Sequence, residues 1–391
     1  MEEEKAAAPN SYLWCPRVHF DPPPQRLYHL HRQFRLDGSG NNFFKGVKWS
    51  PDGSCFLTCN EDKRLRIFDL PSNALEVEAL DDLAAKTDPL VSSLTVSEGE
   101  TVYDFCWYPH MVATDLSTCV FATTTRDHPV HLWDAATGNL RCSYRAYNAM
   151  DEVTAALSVA FNPSGNRLFC GYNKKIRIFD TSTPGRHCEE HSTLTSSKEG
   201  ITGIVSCLAF SGHQTNLLAA GSYDRTIAVY NEGNMELLYV LQGHEGGLTQ
   251  VQFSKDGNYL YSGARKDPSI CCWDVRYTTS LVYKLERAVT NTNQRIAFDI
   301  EPYAQHLGTG GEQGGDIRFY DLRTGEFTAS IHAASDTING FSFHPTLPLA
   351  ASTSGARRFS TSEDKDDDEE PPQILTGNYF QNHLSIALLM V

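Results

Sequence analysis

The chain has 391 residues, a formal charge of −15 and 40% hydrophobic content, with 17 Tyr and 20 Phe. That supports a large core of pleated strands, and the acidic balance argues against indiscriminate nucleic-acid binding while allowing a local basic patch. Eleven scattered Cys without a C-x-x-C pair argue against a disulfide framework and for buried thiols in a reducing compartment, and the longest apolar run, 384–391, is too short to span a bilayer.

The N-terminus, M-E-E-E-K-A-A-A-P-N, is acidic and lacks an apolar stretch, so no signal peptide is expected and residues 1–27 read as largely irregular. We expect an intracellular, soluble protein with no membrane partner. Residues 28–36, Y-H-L-H-R-Q-F-R-L, alternate well and read as an orphan strand. His29 and His31 share a face there, but without carboxylate or Cys companions they read as packing or solvent-facing residues. No metal site and no cofactor are expected.

From Val47 one pattern recurs, an aromatic two residues after an apolar residue, then usually a turn. It reads V-K-W-S-P-D-G, F-C-W-Y-P, V-A-F-N-P-S-G, C-L-A-F-S-G, V-Q-F-S-K-D-G, I-A-F-D and F-S-F-H-P, with aromatics Trp49, Trp107, Phe161, Phe210, Phe253, Phe298 and Phe343. Their separations are 58, 54, 49, 43, 45 and 45 residues, and residues 71–100 form a long link between the first two units. Alternation before a Pro/Gly turn marks an inner strand. A second marker follows the first six after 18 to 26 residues, at Phe68, Trp133, Phe179, Tyr230, Trp273 and Tyr320. The seventh unit lacks it. There the chain enters an insertion at 359–378, acidic and expected to be disordered, where 363–370 hold seven acids and one Lys. Residues 379–391 read as a last-blade strand, resumed at Leu384, or as an aberrant tail.

A period near 40–45 residues with G-H…W-D signals, intact at Gly243-His244 and Trp273-Asp274, resembles the WD repeat. The expected fold is all-β, a seven-bladed WD-repeat propeller over 28–358, closed by the N-terminal strand. On that resemblance His244 bonds inward to the turn residue Asp267, and with Trp273 they form a structural blade network.

No G-x-S-x-G elbow, Walker loop, H-E-x-x-H or EF-hand spacing occurs, so no enzyme and no catalytic residue is expected. Residues 310–315, G-G-E-Q-G-G, read as the middle turn of the sixth blade rather than a phosphate loop. The middle turns of the other blades carry cations: Lys63 and Arg64; Arg126; Lys174 and Lys175; Arg225; Arg265 and Lys266; Arg357 and Arg358. In a propeller these turns share one rim, where they could neutralise phosphates, although Asp-Lys and Asp-Arg are common turn pairs.

Five stretches resemble the telomerase Cajal body protein family: A-Y-N-A-M-D-E-V-T-A-A from Ala146, G-H-E-G-G-L-T from Gly243, Y-S-G-A-R-K-D from Tyr261, N-T-N-Q-R-I-A-F-D from Asn291 and H-P-T-L-P-L-A-A-S-T-S-G from His344. The resemblance covers roughly 43–355. It implies a nuclear WD-repeat scaffold that recognises the Cajal-body box of small Cajal body RNAs and telomerase RNA. It further implies delivery of these RNAs to Cajal bodies, in support of telomerase assembly and telomere maintenance. Telomerase and box H/ACA ribonucleoprotein proteins are implied partners, as is the cytosolic chaperonin, with folding in the cytoplasm. The chain departs from the family by beginning almost at the propeller and by ending in L-S-I-A-L-L-M-V, as a shortened or alternatively spliced form would.

Unpaired RNA is read by cations and stacking aromatics. The expected RNA-binding residues are Lys174, Lys175, Arg225, Arg265 and Lys266, with Tyr172 and Tyr223 as stacking partners and Asn293, Gln294 and Arg295 as additions. A rival reading is a substrate receptor of a cullin–RING ubiquitin ligase, because W-D-V-R from Trp273 and Y-D-L-R from Tyr320 resemble the W-D-x-R docking element.

Overall fold

The computed structural model describes residues 18, 20, 25–30, 42–71, 384–388, and 91–357 apart from 213, 214, 279, 288–291 and 313. No helix occurs among the described residues. Among the described residues, twenty-eight strands form seven four-stranded antiparallel sheets. Six sheets take four strands consecutive in sequence, beginning with β2 (Phe44–Trp49), β3 (Cys55–Asn60), β4 (Arg64–Asp69) and β5 (Leu94–Ser97).

Burial follows strand position. Second strands such as β3, C-F-L-T-C-N, and β7 (Val120–Thr125), V-F-A-T-T-T, are buried at every residue, because sheets pack against both their faces. Outer strands are the least buried, most so β13 (Glu189–Ser192), E-E-H-S. The result is an all-β propeller whose apolar clusters lie between neighbouring sheets, for example Phe44, Trp49, Phe56 and Phe68 with Leu349, Leu384 and Ile386. Such clusters are the main favourable term, since no single sheet can bury both faces.

The innermost strands line a central cavity of about 920 Å³. They are β2, β6 (Val102–Trp107), β10 (Ser158–Phe161), β14 (Val205–Phe210), β18 (Leu248–Phe253), β22 (Phe298–Ile300) and β26 (Ile338–Phe343). Side chains bridge each to the next. Lys45 Nζ donates to Val102 O (2.7 Å), and Asp104 accepts from Val159 N (3.1 Å). Ser158 donates to Val205 O (3.0 Å) and Ser206 to Leu248 O (2.7 Å). Gln250 exchanges bonds with Phe298 N and O, and Asp299 accepts from Phe343 N (2.9 Å). Asn339 donates to Phe44 O, which completes the circuit.

Six of the expected aromatics end their inner strands. The sixth copy differs: Phe298 opposes Thr309 as Val251 opposes Ser262, so Ile300, opposite Leu307, holds the place that Phe253 holds in the sheet before. The offset is two residues, which keeps the same face inward, so alternation alone does not reveal it.

The remaining sheet is composite, ordered β1–β28–β27–β26. β28 (Leu384–Leu388) pairs with β27 (Leu349–Ser354), and β1 (Gln25–Leu30) pairs with β28 on the outside. The N-terminal strand therefore starts three residues before its expected start at Tyr28, with its register set by Gln25↔Leu388 and an irregularity between Arg26 and Tyr28. Residues 31–36 and the acidic insertion lie outside the described residues. Upstream, Val18 is buried and Phe20 packs on Phe319 (4.4 Å between rings), so part of the expected irregular segment docks on the sixth sheet.

Candidate nucleic-acid interface

In a four-stranded meander the turn between the second and third strands lies at the same end as the entry to the first strand. Turn and entry loop therefore share a rim, and backbone bonds join them: Lys174 N to Gly203 O (2.9 Å), Arg265 N to Gly247 O (2.9 Å) and Gly310 N to Ala297 O (3.2 Å). The described residues of 310–315 lie between β23 (His306–Thr309) and β24 (Asp316–Asp321), where the middle turn belongs. Gly315 takes φ +64°, and a Cβ there would sit 1.7 Å from Ala334 O, so only glycine fits.

In the turns of the fourth and fifth sheets the acidic residues face inward. Asp224 accepts from Thr202 N (2.6 Å) and Gly203 N (2.9 Å). Asp267 accepts from Glu245 N (3.1 Å) and Ser269 N (2.9 Å), and lies 2.7 Å from His244 Nδ1. His244 Nε2 lies 2.8 Å from Ser262 Oγ, which accepts from Trp273 Nε1 (2.8 Å). An indole only donates and a carboxylate only accepts, so the bonds run one way from Trp273 to Asp267, with one imidazole proton on Nδ1. Burial opposes the Asp267 charge, but His244 and the two backbone N–H groups outweigh it and hold the carboxyl down to about 2. The second sheet has a substitute: Glu98 accepts from Trp133 Nε1 (2.9 Å) and Thr123 and meets His131 Nδ1 (2.9 Å).

With the acids turned inward, the cations face out. Lys63, Lys174, Arg225 and Lys266 all have left-handed backbones, φ between 52° and 72°. The expected ring of cations is uneven, however. Lys63 pairs with Glu100 (3.1 Å), Arg126 with Asp127 (3.3 Å), Lys175 with Glu190 and Arg357 with Glu61. Arg358 lies outside the described residues. Lys174, Arg225 and Lys266 are exposed, and among the described residues no carboxylate lies within 4.0 Å of them. They occupy three adjacent sheets, the third to the fifth.

One expected site residue is corrected and a second is paired. Tyr172 cannot stack with a base, because it ends the buried strand β11 (Arg167–Tyr172), is 6% exposed and is covered by Arg177 (5.1 Å to the ring). β11 is a second strand with a sheet packed on each face, so either face would bury it. Lys175 is the weaker cation, its charge spent on Glu190.

Tyr223, Arg265, Gln294 and Arg295 lie together at the cavity mouth, beside the exposed Asn293. Arg265 lies over the Tyr223 ring (4.4 Å) and donates to its hydroxyl (2.7 Å), so one ring face is occupied. Arg295 reaches the same hydroxyl (3.5 Å) and donates to Ser206 O (3.0 Å). The glycines of G-H-E-G-G-L-T permit this closeness: a Cβ on Gly246 would meet Arg265 O at 1.7 Å, and one on Gly247 the Tyr223 backbone at 2.9 Å.

Sequence reasoning missed Arg287, 3% exposed at the end of β21 (Leu281–Glu286). Its guanidinium donates to Ala264 O (2.5 Å) and Ile296 O (3.2 Å), which fixes the backbones that carry Arg265 and Arg295. Burial lowers its pKa to about 10. No local pattern marks it, since its partners lie on other loops.

On the opposite rim, the Arg residues of the two W-D-x-R-like elements fold back on their own turns. Arg276 pairs with Asp274 (2.7 Å) and Arg323 with Asp321 (3.3 Å). Buried thiols are poor nucleophiles here, as burial pushes Cys59, Cys106 and Cys207 up to about 12.

The repeat profile described as WD domain, G-beta repeat matches residues 32–69, 151–180, 190–231 and 235–274. The chain is 43% identical over 376 residues to telomerase Cajal body protein 1 of Rattus norvegicus, covering 95% of this chain and 69% of that protein. It is 43% identical to the Homo sapiens protein of the same name, over 84% of this chain and 60% of that one. It is 35% identical to the Drosophila melanogaster homologue, over 82% and 58% respectively. The chain thus spans roughly three-fifths to two-thirds of these relatives' lengths. With the repeat architecture and this extent of identity together, the chain belongs to the telomerase Cajal body protein 1 family of WD-repeat propellers.

Proposed function

We propose that this chain is an RNA-binding scaffold rather than an enzyme. In this reading it recognises the Cajal-body box of small Cajal body RNAs and telomerase RNA and directs them to nuclear Cajal bodies. There it would meet telomerase and box H/ACA ribonucleoprotein proteins, after folding in the cytoplasm with the chaperonin. In this reading the composite sheet closes a seven-bladed ring, both ends of the chain adding strands to one propeller.

The observation that carries the reading is the arc of Lys174, Arg225 and Lys266, free of described carboxylate partners, beside Arg265 and Arg295 at the cavity mouth. The like charges are gathered on one rim of an acidic protein, which suits phosphates held in a groove. The names of the relatives support the Cajal-body and telomerase assignment. Crosslinking in cells followed by sequencing of the bound RNA tests it. Enrichment of box-containing RNAs is expected; recovery of a cullin–RING adaptor with no enriched RNA would contradict it.

A further inference from the structure

We infer that Arg265, Arg295 and Tyr223 form a phosphodiester-binding site at the mouth of the central cavity, where an unpaired RNA strand bends inward from the rim. The inference rests on the RNA-binding reading and narrows it to a few atoms.

Both guanidiniums reach one neutral phenol oxygen, at 2.7 and 3.5 Å, and no carboxylate among the described residues lies within 4.0 Å of either. Two like charges are thereby held together with no carboxylate in contact, although Tyr223 and the more distant Asp104 favour the Arg295 charge against its burial. Burial and the nearby Arg295 both oppose the Arg265 charge, with Tyr223 the opposing influence. An anion bridging the pair would relieve that repulsion, and guanidinium forks match phosphate oxygens. Arg265 Nε is buried with no partner, so the fork has a spare donor. On the same mouth the Gln294 amide oxygen is also buried without a partner. Inorganic phosphate could serve that acceptor with a P–O–H only by turning one of its oxygens away from the arginines. A nucleotide supplies both a phosphate for the arginines and an N–H or ribose O–H for Gln294, so an RNA backbone fits better than inorganic phosphate.

The site is built in advance. Arg287 pins the carbonyls of Ala264 and Ile296, and Gly246 and Gly247 let the entry loop close on the Arg265 and Tyr223 backbones. A cavity of about 920 Å³ behind the mouth has room for a base or two but not for a duplex.

The test uses the full chain and an oligouridylate of about eight nucleotides, long enough to cover the rim and mouth. Arginines of the unaltered protein are modified with phenylglyoxal, with and without the RNA, and read by mass spectrometry. Strong protection of Arg265 and Arg295, with Arg64 on the first sheet unchanged, is expected. Arg265→Gln with Arg295→Gln, checked by melting, should weaken binding about tenfold. Because both arginines hold one phosphate, the salt slope should fall by about 0.7 rather than twice that. Equal modification of both residues with RNA demonstrably bound would overturn the site and leave the RNA reading standing. Inorganic phosphate protecting them as well as the RNA at equal phosphate concentration would overturn the nucleotide assignment. No binding of RNA by the parent protein at low salt would remove both.

Discussion

At the scale of single residues, the most consequential group is the Trp273–Ser262–His244–Asp267 chain. His244→Ala should cost roughly 1–3 kcal/mol, because it strands a buried carboxylate and a buried hydroxyl. Asp267 adds a pH signature. Its folded pKa, near 2, lies below the ordinary 3.8, so its contribution is complete above about pH 4 and is lost as pH falls towards 2. Asp267→Asn should therefore lower the melting temperature at pH 7 and flatten its decline between pH 4 and 2. A parallel decline in both proteins would show that the pairing is not energetic. Tyr172 makes the opposite case to a surface aromatic: Tyr172→Ala should destabilise by roughly 3–5 kcal/mol and leave the RNA affinity of the folded fraction unchanged. Calorimetry with binding on the same preparation checks it. The sequence placed this residue beside cations in a turn, and both facts are true. What buries it is its place on a second strand covered on both faces, which the turn beside it does not reveal.

At the scale of elements, the inner strands were legible because their aromatics repeat in phase, and only the Phe298/Ile300 offset escaped detection. Outer strands were less so. β13, E-E-H-S, has no apolar residue, and β5, L-T-V-S, alternates over only four residues inside the long link at 71–100, too short a run to stand out. The closing seam shows how distant partners remain hidden. His344 Nδ1 accepts from Thr346 N (3.1 Å) and Leu347 N (2.9 Å), while Nε2 donates to Gly53 O (3.0 Å) across the first sheet. A proton on Nδ1 would break two bonds, and burial already lowers the pKa of this imidazole. Folding thus favours the neutral ring. Its contribution is complete above the unfolded value near 6.5 and declines as pH falls through it towards the folded value. Melting temperature should therefore drop between pH 7 and 5, and less steeply in His344→Gln. An unchanged slope in that variant would mean the seam does not sense the proton.

At the scale of the whole molecule, the count and phasing of repeats told of a propeller, and the family segments told of its relatives. What they could not tell was which rim cations keep their charge. Lys63, Arg126, Lys175 and Arg357 are paired, three of them with carboxylates remote in sequence, so the charge left without a described carboxylate is Arg64 on the first sheet and an arc on the third to fifth rather than a full ring. The side-chain circuit through Asp104, Gln250, Asp299 and Asn339 was equally invisible, because each polar residue reads locally as an ordinary strand position. The central claim is that this arc holds an RNA backbone. Equilibrium binding of a box-containing hairpin across a series of salt concentrations tests it most directly, with folded Arg225→Gln/Arg265→Gln/Lys266→Gln beside the parent. Each phosphate neutralised on a single strand contributes about 0.7 to the slope of log affinity against log salt. We expect the triple variant to bind intact and box-mutant hairpins more weakly alike, with a slope shallower by about 1.4 to 2. Unchanged affinity and slope in that variant would place the RNA elsewhere and contradict the claim.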